Sequence, residues 1–339
     1  MLRPGLDLQP TRSGDGDDSW RVSSGSAAVL GLSKARLDAA PTTVYLMLGD
    51  RCQRDCAFCT QARQSHASQA ALSRVSWPRF SVDDITDATA EAFSRGEMLR
   101  ACFQVTVGRD QIDTTIAAVA RLASSSAIPI CVSAAPRSLD DVSDLLTAGA
   151  ERVTISLDAA TPGIYKRVKG GSWTIAHRLL LQAAEAYPGH ISTHLIVGLG
   201  ETEQEMVSRI SELHARRILI GLFAFTPIPG TGMASQPPPP LEQYRRIQAA
   251  RWLIVNGLAP SEPMRYDTSG RLVSFGMPSD RLRLLLDQGQ AFRTAGCPGC
   301  NRPYYNERPG GTMYNYPRPL SRQEADTEIS DLIAHLDPS

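Results

Sequence analysis

Val44–Leu48 reads VYLML, and just after it Arg51–Thr60 reads RCQRDCAFCT. The first run is short, apolar and β-rich, so it reads as a buried strand. The second places Cys52, Cys56 and Cys59 where that strand runs out into a loop. Their spacing is C-x3-C-x2-C, with Phe58 just before the last. Three thiolates this close in one loop can clamp a metal centre. Zinc wants four tetrahedral ligands, usually from paired C-x2-C hooks. Iron–sulfur clusters are normally held by four cysteines, so three in one loop leave a cubane with one iron free for an outside ligand. The other reading, three cysteines of an apolar core, suits the polar setting DRCQRDC poorly.

Outward from that loop the chain alternates. Strand candidates are Val44–Leu48, Ala101–Val107, Ile128–Ser133, Arg152–Leu157, Ile191–Val197 and Leu219–Phe225. Helical spacing falls between them, over Ser81–Arg95, Asp110–Ala123, Leu139–Ala148, Trp173–Ala186 and Glu203–Ala215. Such alternation predicts an α/β fold of βαβ units on a parallel sheet. Six units predict a partial (β/α)6 TIM-like barrel, open on one side. Chemistry in barrels gathers at the C-terminal ends of the strands, which is where the cysteine loop falls. Residues 1–40 are expected as an N-terminal segment, loose over Met1–Ser24 and helical within Ser26–Ala40. The barrel is expected over 41–235 and an irregular C-terminal extension over 236–339. The run Ala234–Pro240, ASQPPPP, marks the exit, because consecutive prolines cannot continue a helix. Helices are expected again at Leu241–Asn256 and Arg281–Gln288, and none over Ala295–Leu320.

Composition narrows the class. The 339 residues allow one large domain or two. The 35 basic residues balance the 35 acidic ones, so bulk charge suggests no nucleic acid or membrane-surface partner. No apolar run approaches a membrane span, and the N-terminal residues lack a secretory h-region. Seven cysteines, an odd count, suit metal ligation in a reducing cytoplasm better than disulfides.

The cysteine spacing, with its aromatic residue, resembles the signature of the radical S-adenosylmethionine (SAM) enzymes, whose core fold is the same partial barrel. The resemblance implies that Cys52, Cys56 and Cys59 hold a [4Fe–4S] cluster whose unique iron is chelated by SAM. An electron from the cluster would then cleave SAM to methionine and a 5′-deoxyadenosyl radical. Phe58 would lie near the adenine. Three further stretches are similar to the family. Ser156 and Asp158 of SLD alternate on the end of the fourth strand and would reach the barrel mouth. Ile196, Gly198 and Glu201 of HLIVGLGE match the family's fifth-strand stretch, with His194 replacing its first glycine. FTPIPGT, beginning at Phe225, resembles a turn that meets adenine. The usual GGE is absent; VTVGRD stands there with only Gly108 in common.

Cys102 and Cys131 fall on the second and third strands, where biotin synthase carries ligands of a second cluster. Ser192 takes the place of its fifth-strand cysteine. Cys297 and Cys300 form the hook GCPGCNRPYYNERPGG, which by itself reads as a cluster hook, half a zinc site or a redox C-x2-C. The expectation is an auxiliary [4Fe–4S] cluster on Cys297, Cys300, Cys102 and Cys131. The tail resembles that of the two-component type of lipoyl synthase, related to biotin synthase. That resemblance implies sulfur insertion into a protein-bound octanoyl-lysine, with the auxiliary cluster as sulfur donor. The partners it implies are a lipoyl-carrier protein or domain, a second radical SAM subunit and an electron donor such as ferredoxin or flavodoxin. Alternatives are a biotin synthase-like or other radical SAM enzyme, or a non-catalytic partner subunit. Tyr304, Tyr305, Asn306 and Arg308 line the site or wrap the hook, with structural packing favoured for the tyrosines. No residue reads as a general acid–base catalyst, and the six histidines are scattered.

Overall fold

The computed structural model describes residues 18–308 and 310–337. The first elements are β1 (Ser19–Val22), α1 (Ser24–Val29), β2 (Thr43–Leu48), the small hairpin β3 (Ala71–Leu72) and β4 (Val75–Ser76), and β5 (Arg79–Ser81). Alternation follows with α2 (Val82–Ser94), β6 (Arg100–Val105), α3 (Gln111–Ser125), β7 (Ile130–Ala134), α4 (Leu139–Thr147) and β8 (Ala150–Ile155). It continues through α5 (Pro162–Val168), α6 (Trp173–Ala186), β9 (Ile191–Val197), α7 (Glu203–Ala215) and β10 (Leu219–Ala224). The remainder holds α8 (Leu241–Val255), β11 (Arg265–Tyr266), β12 (Leu272–Ser274), α9 (Ser279–Leu286) and α10 (Arg322–Ala334).

One eight-stranded sheet runs β10-β9-β8-β7-β6-β2-β1-β5. The six strands from β10 to β2 are parallel, while β1 pairs antiparallel with β2 and with β5. The sheet is the wall of a partial barrel, with β10 and β5 at its two ends. Each parallel strand reads with period two. Val44, Leu46 and Leu48 of β2, Ala101 and Phe103 of β6, and Ile220, Leu222 and Ala224 of β10 face the helices and form the main core. The intervening residues face the lumen: Tyr45 and Met47, Cys102 and Gln104, Thr154 and Ser156, Gly221 and Phe223. The register sets Cys102 opposite Tyr45 on one side and Cys131 on the other.

Helix starts follow from local chemistry. Ser81, Ser138, Thr161 and Ser172 each accept a hydrogen bond from the first turn of the helix they precede. Thr202–Glu205 and Ser321–Glu324 are full capping boxes. Two expectations are corrected. Within Met1–Ser24 the described residues include β1, ordered by pairing with β2 and β5, while residues 1–17 lie outside the described ones. Within Ser26–Ala40 the helix is only α1, because Gly31 turns the chain at a φ of 74° and an irregular run leads to β2.

Behind the sheet the C-terminal segment is tied to the barrel by buried ion pairs. Arg246 of α8 donates to both oxygens of Glu203 at the start of α7, at 2.9 and 2.7 Å. Leu272 N–H donates to the same carboxylate at 3.0 Å. Removing one partner of such a buried pair costs about 3–5 kcal/mol, because the other charge is left alone. Arg245 grips Glu328 and the carbonyls of Met313 and Tyr314, fixing the tail to α8. Among the described residues, no helix is long and apolar enough to cross a membrane.

Candidate active site

The loop after β2 is held by its backbone on three sides. Cys52 N–H donates to Gln61 O at 2.9 Å, Gln53 N–H to Val107 O beyond β6 at 2.8 Å, and Ala57 N–H to Val168 O at the end of α5 at 2.7 Å. Arg51 reaches inward to the carbonyls of Ala62, Ser65 and Ala67. The Cys52, Cys56 and Cys59 side chains line a cavity of about 760 Å³ at the C-terminal ends of the strands. Burial pushes the Cys56 thiol up to about 11 and the Cys59 thiol up to about 12. Those thiols therefore need a cationic partner to ionise at neutral pH. Val107 N–H lies 3.3 Å from Cys52 Sγ and Arg54 N–H 3.4 Å from it, so backbone donors already face that sulfur.

Ser156 and Asp158 line this cavity, just beyond the end of β8. Asp158, at a φ of 64°, sits 2.7 Å from Lys169 Nζ, and Lys169 also donates to Ser156 O at 2.5 Å. Burial is the largest influence and works against the Lys169 charge, but Asp158, Cys56 and Tyr165 together outweigh it and hold the ammonium above its ordinary range. Lys169 was missed by the sequence reading. It follows the seven-residue α5, too short to show a helical period, although Thr161 before Pro162 is a helix-start signal. His194 bonds Ser156 Oγ through Nδ1 at 3.0 Å. Burial pulls His194 down to about 4, so it is neutral at physiological pH.

Phe58, Ile196 and Phe225 meet in one apolar cluster with Tyr165 and Leu199, and all but Leu199 line the cavity. Gly198 and Glu201 do not line it. The Glu201 carboxylate turns back on its own turn, accepting from Gly198 N at 2.7 Å and Leu199 N at 3.0 Å. A side chain on Gly198, whose φ is 99°, would meet Pro239 at 2.9 Å. The FTPIPGT turn packs on the cysteine loop: a Cβ on Gly230 would come within 2.6 Å of Ala67 N.

A second, smaller cavity of about 210 Å³ lies deeper in the lumen. Cys102, Cys131, Cys297 and Cys300 all line it. The strand register brings the first two together, and the tail delivers the hook. Asn301 anchors that hook by accepting from Thr42 N at 3.0 Å and donating to Ala40 O at 2.9 Å and Pro317 O at 3.2 Å. Arg100 donates to Pro298 O at 2.7 Å. Cys131 and Cys297 Sγ are 3.7 Å apart; the Cys102 contact and burial push the Cys131 thiol up, and the Cys131 contact and burial push the Cys297 thiol up. Gln104, His194, Phe223 and Tyr305 line both cavities and so form the wall between them. His194, Phe223 and Tyr305 stack edge to face at centroid distances of 4.9 and 5.5 Å. The Arg302 guanidinium lies 3.9 Å over Phe223 and makes no salt bridge among the described residues. Tyr304 lines the second cavity, Tyr305 both, and Asn306 the first, so the two tyrosines are wall as well as packing; Arg308 lines neither. Among the described residues, no three His, Cys, Asp or Glu side chains are gathered as around a bound metal ion. Each thiol set borders a cavity.

Residues 46–213 match the model of the Radical SAM superfamily. The chain carries a radical SAM domain. A domain of this superfamily implies an enzyme that uses a [4Fe–4S] cluster and SAM. Among solved structures, methylornithine synthase (PylB) is similar over 88% of this chain and 82% of its own, at 13% identity and a TM-score of 0.52. A structure of HydG, a maturase of the [FeFe]-hydrogenase, is similar over 63% and 50%, at 12% identity and a TM-score of 0.50. HydG from Carboxydothermus hydrogenoformans covers 63% and 51%, at 17% identity and a TM-score of 0.49. The chain thus spans about half the length of the HydG chains it matches. At these identities the likeness shows the fold. No curated protein matches the sequence.

Proposed function

We propose that this radical SAM domain is the catalytic part of a sulfur-insertion enzyme of the lipoyl synthase kind, acting on a protein-bound octanoyl-lysine. One observation carries the reading: four thiols, Cys102, Cys131, Cys297 and Cys300, line a cavity that shares a wall with the cavity of the cysteine loop. The resemblance of the tail to two-component lipoyl synthases supplies the substrate. The structural likenesses bear on the fold and not on the substrate.

The donor sets fit the groups. Soft thiolates favour iron–sulfur clusters, and Cys52, Cys56 and Cys59 are three ligands where a SAM-binding cubane needs three. When bound, the cluster and SAM supply a radical able to take hydrogen from an unactivated carbon. The chain's own residues do the rest. Phe58, Ile196 and Phe225 form an apolar face suited to an adenine ring. Lys169 pairs with Asp158 at 2.7 Å and orients its carboxylate in the cavity, where it can accept from ribose hydroxyls. Neutral His194, fixed by Ser156, adds no charge to the dividing wall. Phe223 and Tyr305 give that wall the apolar surface that an alkyl chain requires. Cys297 and Cys300 with Cys102 and Cys131 would hold the sulfur-donating auxiliary cluster. In this reading the carrier domain, a second radical SAM subunit and a ferredoxin or flavodoxin are the partners.

A second reading has a specific observation behind it. Two thiolates on one tetrahedral zinc at 2.3 Å stand about 3.8 Å apart, close to the 3.7 Å between Cys131 and Cys297. A structural zinc on the same four thiols would make the chain a radical SAM enzyme of another kind.

Anaerobic reconstitution decides between them. The sulfur-insertion reading expects about eight iron atoms per chain, four for each cluster, and a mass gain of sulfur on an octanoyl-lysyl peptide given SAM and reductant, tested with and without the second subunit. About four iron atoms with one zinc would overturn it.

A further inference from the structure

We propose that Tyr45 and Trp77 are hydrogen-bond donors to the centre at Cys102 and Cys300 and raise its reduction potential; the inference rests on the auxiliary cluster proposed above.

Two independent observations point there. Tyr45 is 9% exposed, and its hydroxyl lies 3.1 Å from Cys300 Sγ. The same oxygen accepts the Arg302 backbone N–H at 3.1 Å. A phenol has one proton, so with that acceptor role taken the proton is free to point at the sulfur. The Arg302 backbone thereby fixes the direction of the Tyr45 bond. Trp77 is 3% exposed, and its Nε1–H has no partner among the described residues. It lines the second cavity and packs in one cluster with Tyr45, Met47, Cys102 and Cys300. An indole N–H left without an acceptor in such a place costs free energy and calls for one in the cavity. A thiolate or bridging sulfide of a bound cluster supplies it.

The other edge of the cavity is different. Cys131 and Cys297 meet each other, Thr154 and the Arg100 side, with no phenol or indole donor. Donors to sulfur stabilise the more negative, reduced cluster and so raise the potential. Beside the Gln104 amide at 3.1 Å from Cys102 Sγ and the arginines near Cys297, the pair adds to how readily the second centre takes an electron relative to the first.

The test uses full-length chain carrying Cys52→Ala, Cys56→Ala and Cys59→Ala, in which only the second centre can titrate. Tyr45→Phe and Trp77→Phe are each added, iron is counted, and the potential is read by spectroscopic redox titration. Tyr45→Phe is expected to lower the reduced-to-oxidised ratio about tenfold at fixed potential, a shift of about 59 mV for one electron. Trp77→Phe shifts it in the same direction at unchanged iron content. An unmoved potential in both iron-replete variants would overturn the inference while leaving the cluster in place. A parent chain with no second redox centre would overturn both the inference and the reading beneath it.

Discussion

The two thiol sets differ in how they are put together. Cys52, Cys56 and Cys59 come from eight consecutive residues, and hydrogen bonds to the neighbouring loops shape them into one edge of a cavity. Cys102, Cys131, Cys297 and Cys300 come from two strands and a tail, and 166 residues separate the closest pair of sulfurs found across that gap. A local loop keeps its geometry whenever its strand forms. An assembled site exists only when the sheet register and the docked tail agree. The comparison teaches that the two thiol sets can be lost separately and by different substitutions.

The largest effect is expected at the loop. Cys59→Ala removes one of the three proposed ligands, so 5′-deoxyadenosine released from SAM under reduction is expected to fall to background; persistence of that product would break the assignment of the loop. Next comes the double variant Cys297→Ala plus Cys300→Ala. It is expected to halve the bound iron, leave SAM cleavage intact and abolish sulfur transfer to an octanoyl peptide, as read by iron assay and mass spectrometry.

Asn301→Ala should sharpen the contrast with a milder change. It deletes three hydrogen bonds that pin the hook, at a cost of about 1–3 kcal/mol for the set. Urea unfolding reads that loss. Iron at the second site should become the more easily removed by a chelator, while SAM cleavage stays near that of the parent.

The smallest effect is a pH dependence at neither site. Burial raises the Glu201 carboxyl from 4.5 to about 7, against the pull of its backbone donors. The folded chain therefore binds this proton more tightly than the unfolded one. Stability from this group is present in full below about 4.5 and falls as pH rises through about 7. Glu201→Gln should remove that share of the slope in denaturation curves taken across the range. An unchanged slope would show that the turn carries no titrating group.

These differences also explain what could be read in advance. The six parallel strands were legible because each is a short apolar run between longer helical segments, and Ile191–Val197 and Trp173–Ala186 fall where the pattern put them. Ser156 and Asp158 line the cavity although β8 ends at Ile155, because the chain beyond it turns at Asp158, whose φ is 64°, so strand alternation alone does not account for them. β1 was not, since four residues, SWRV, carry no period and are ordered by partners 25 and 60 residues away or so. α5 and Lys169 were hidden by the same shortness. α10 was missed although Ser321 and Glu324 carry a capping-box signature, one that could have found it. Glu201 matched a motif, yet its carboxylate serves the turn that bears it: matching residue types does not fix where a side chain points.

The hook leaves the ribosome long after both strands that complete its cavity. A nascent chain stopped short of Cys297 would already own every thiol of the first centre and only half of the second. In the reading proposed above, the loop's cluster can therefore be loaded before the sulfur store is complete, and a copy ended there would lack half of the store's ligands.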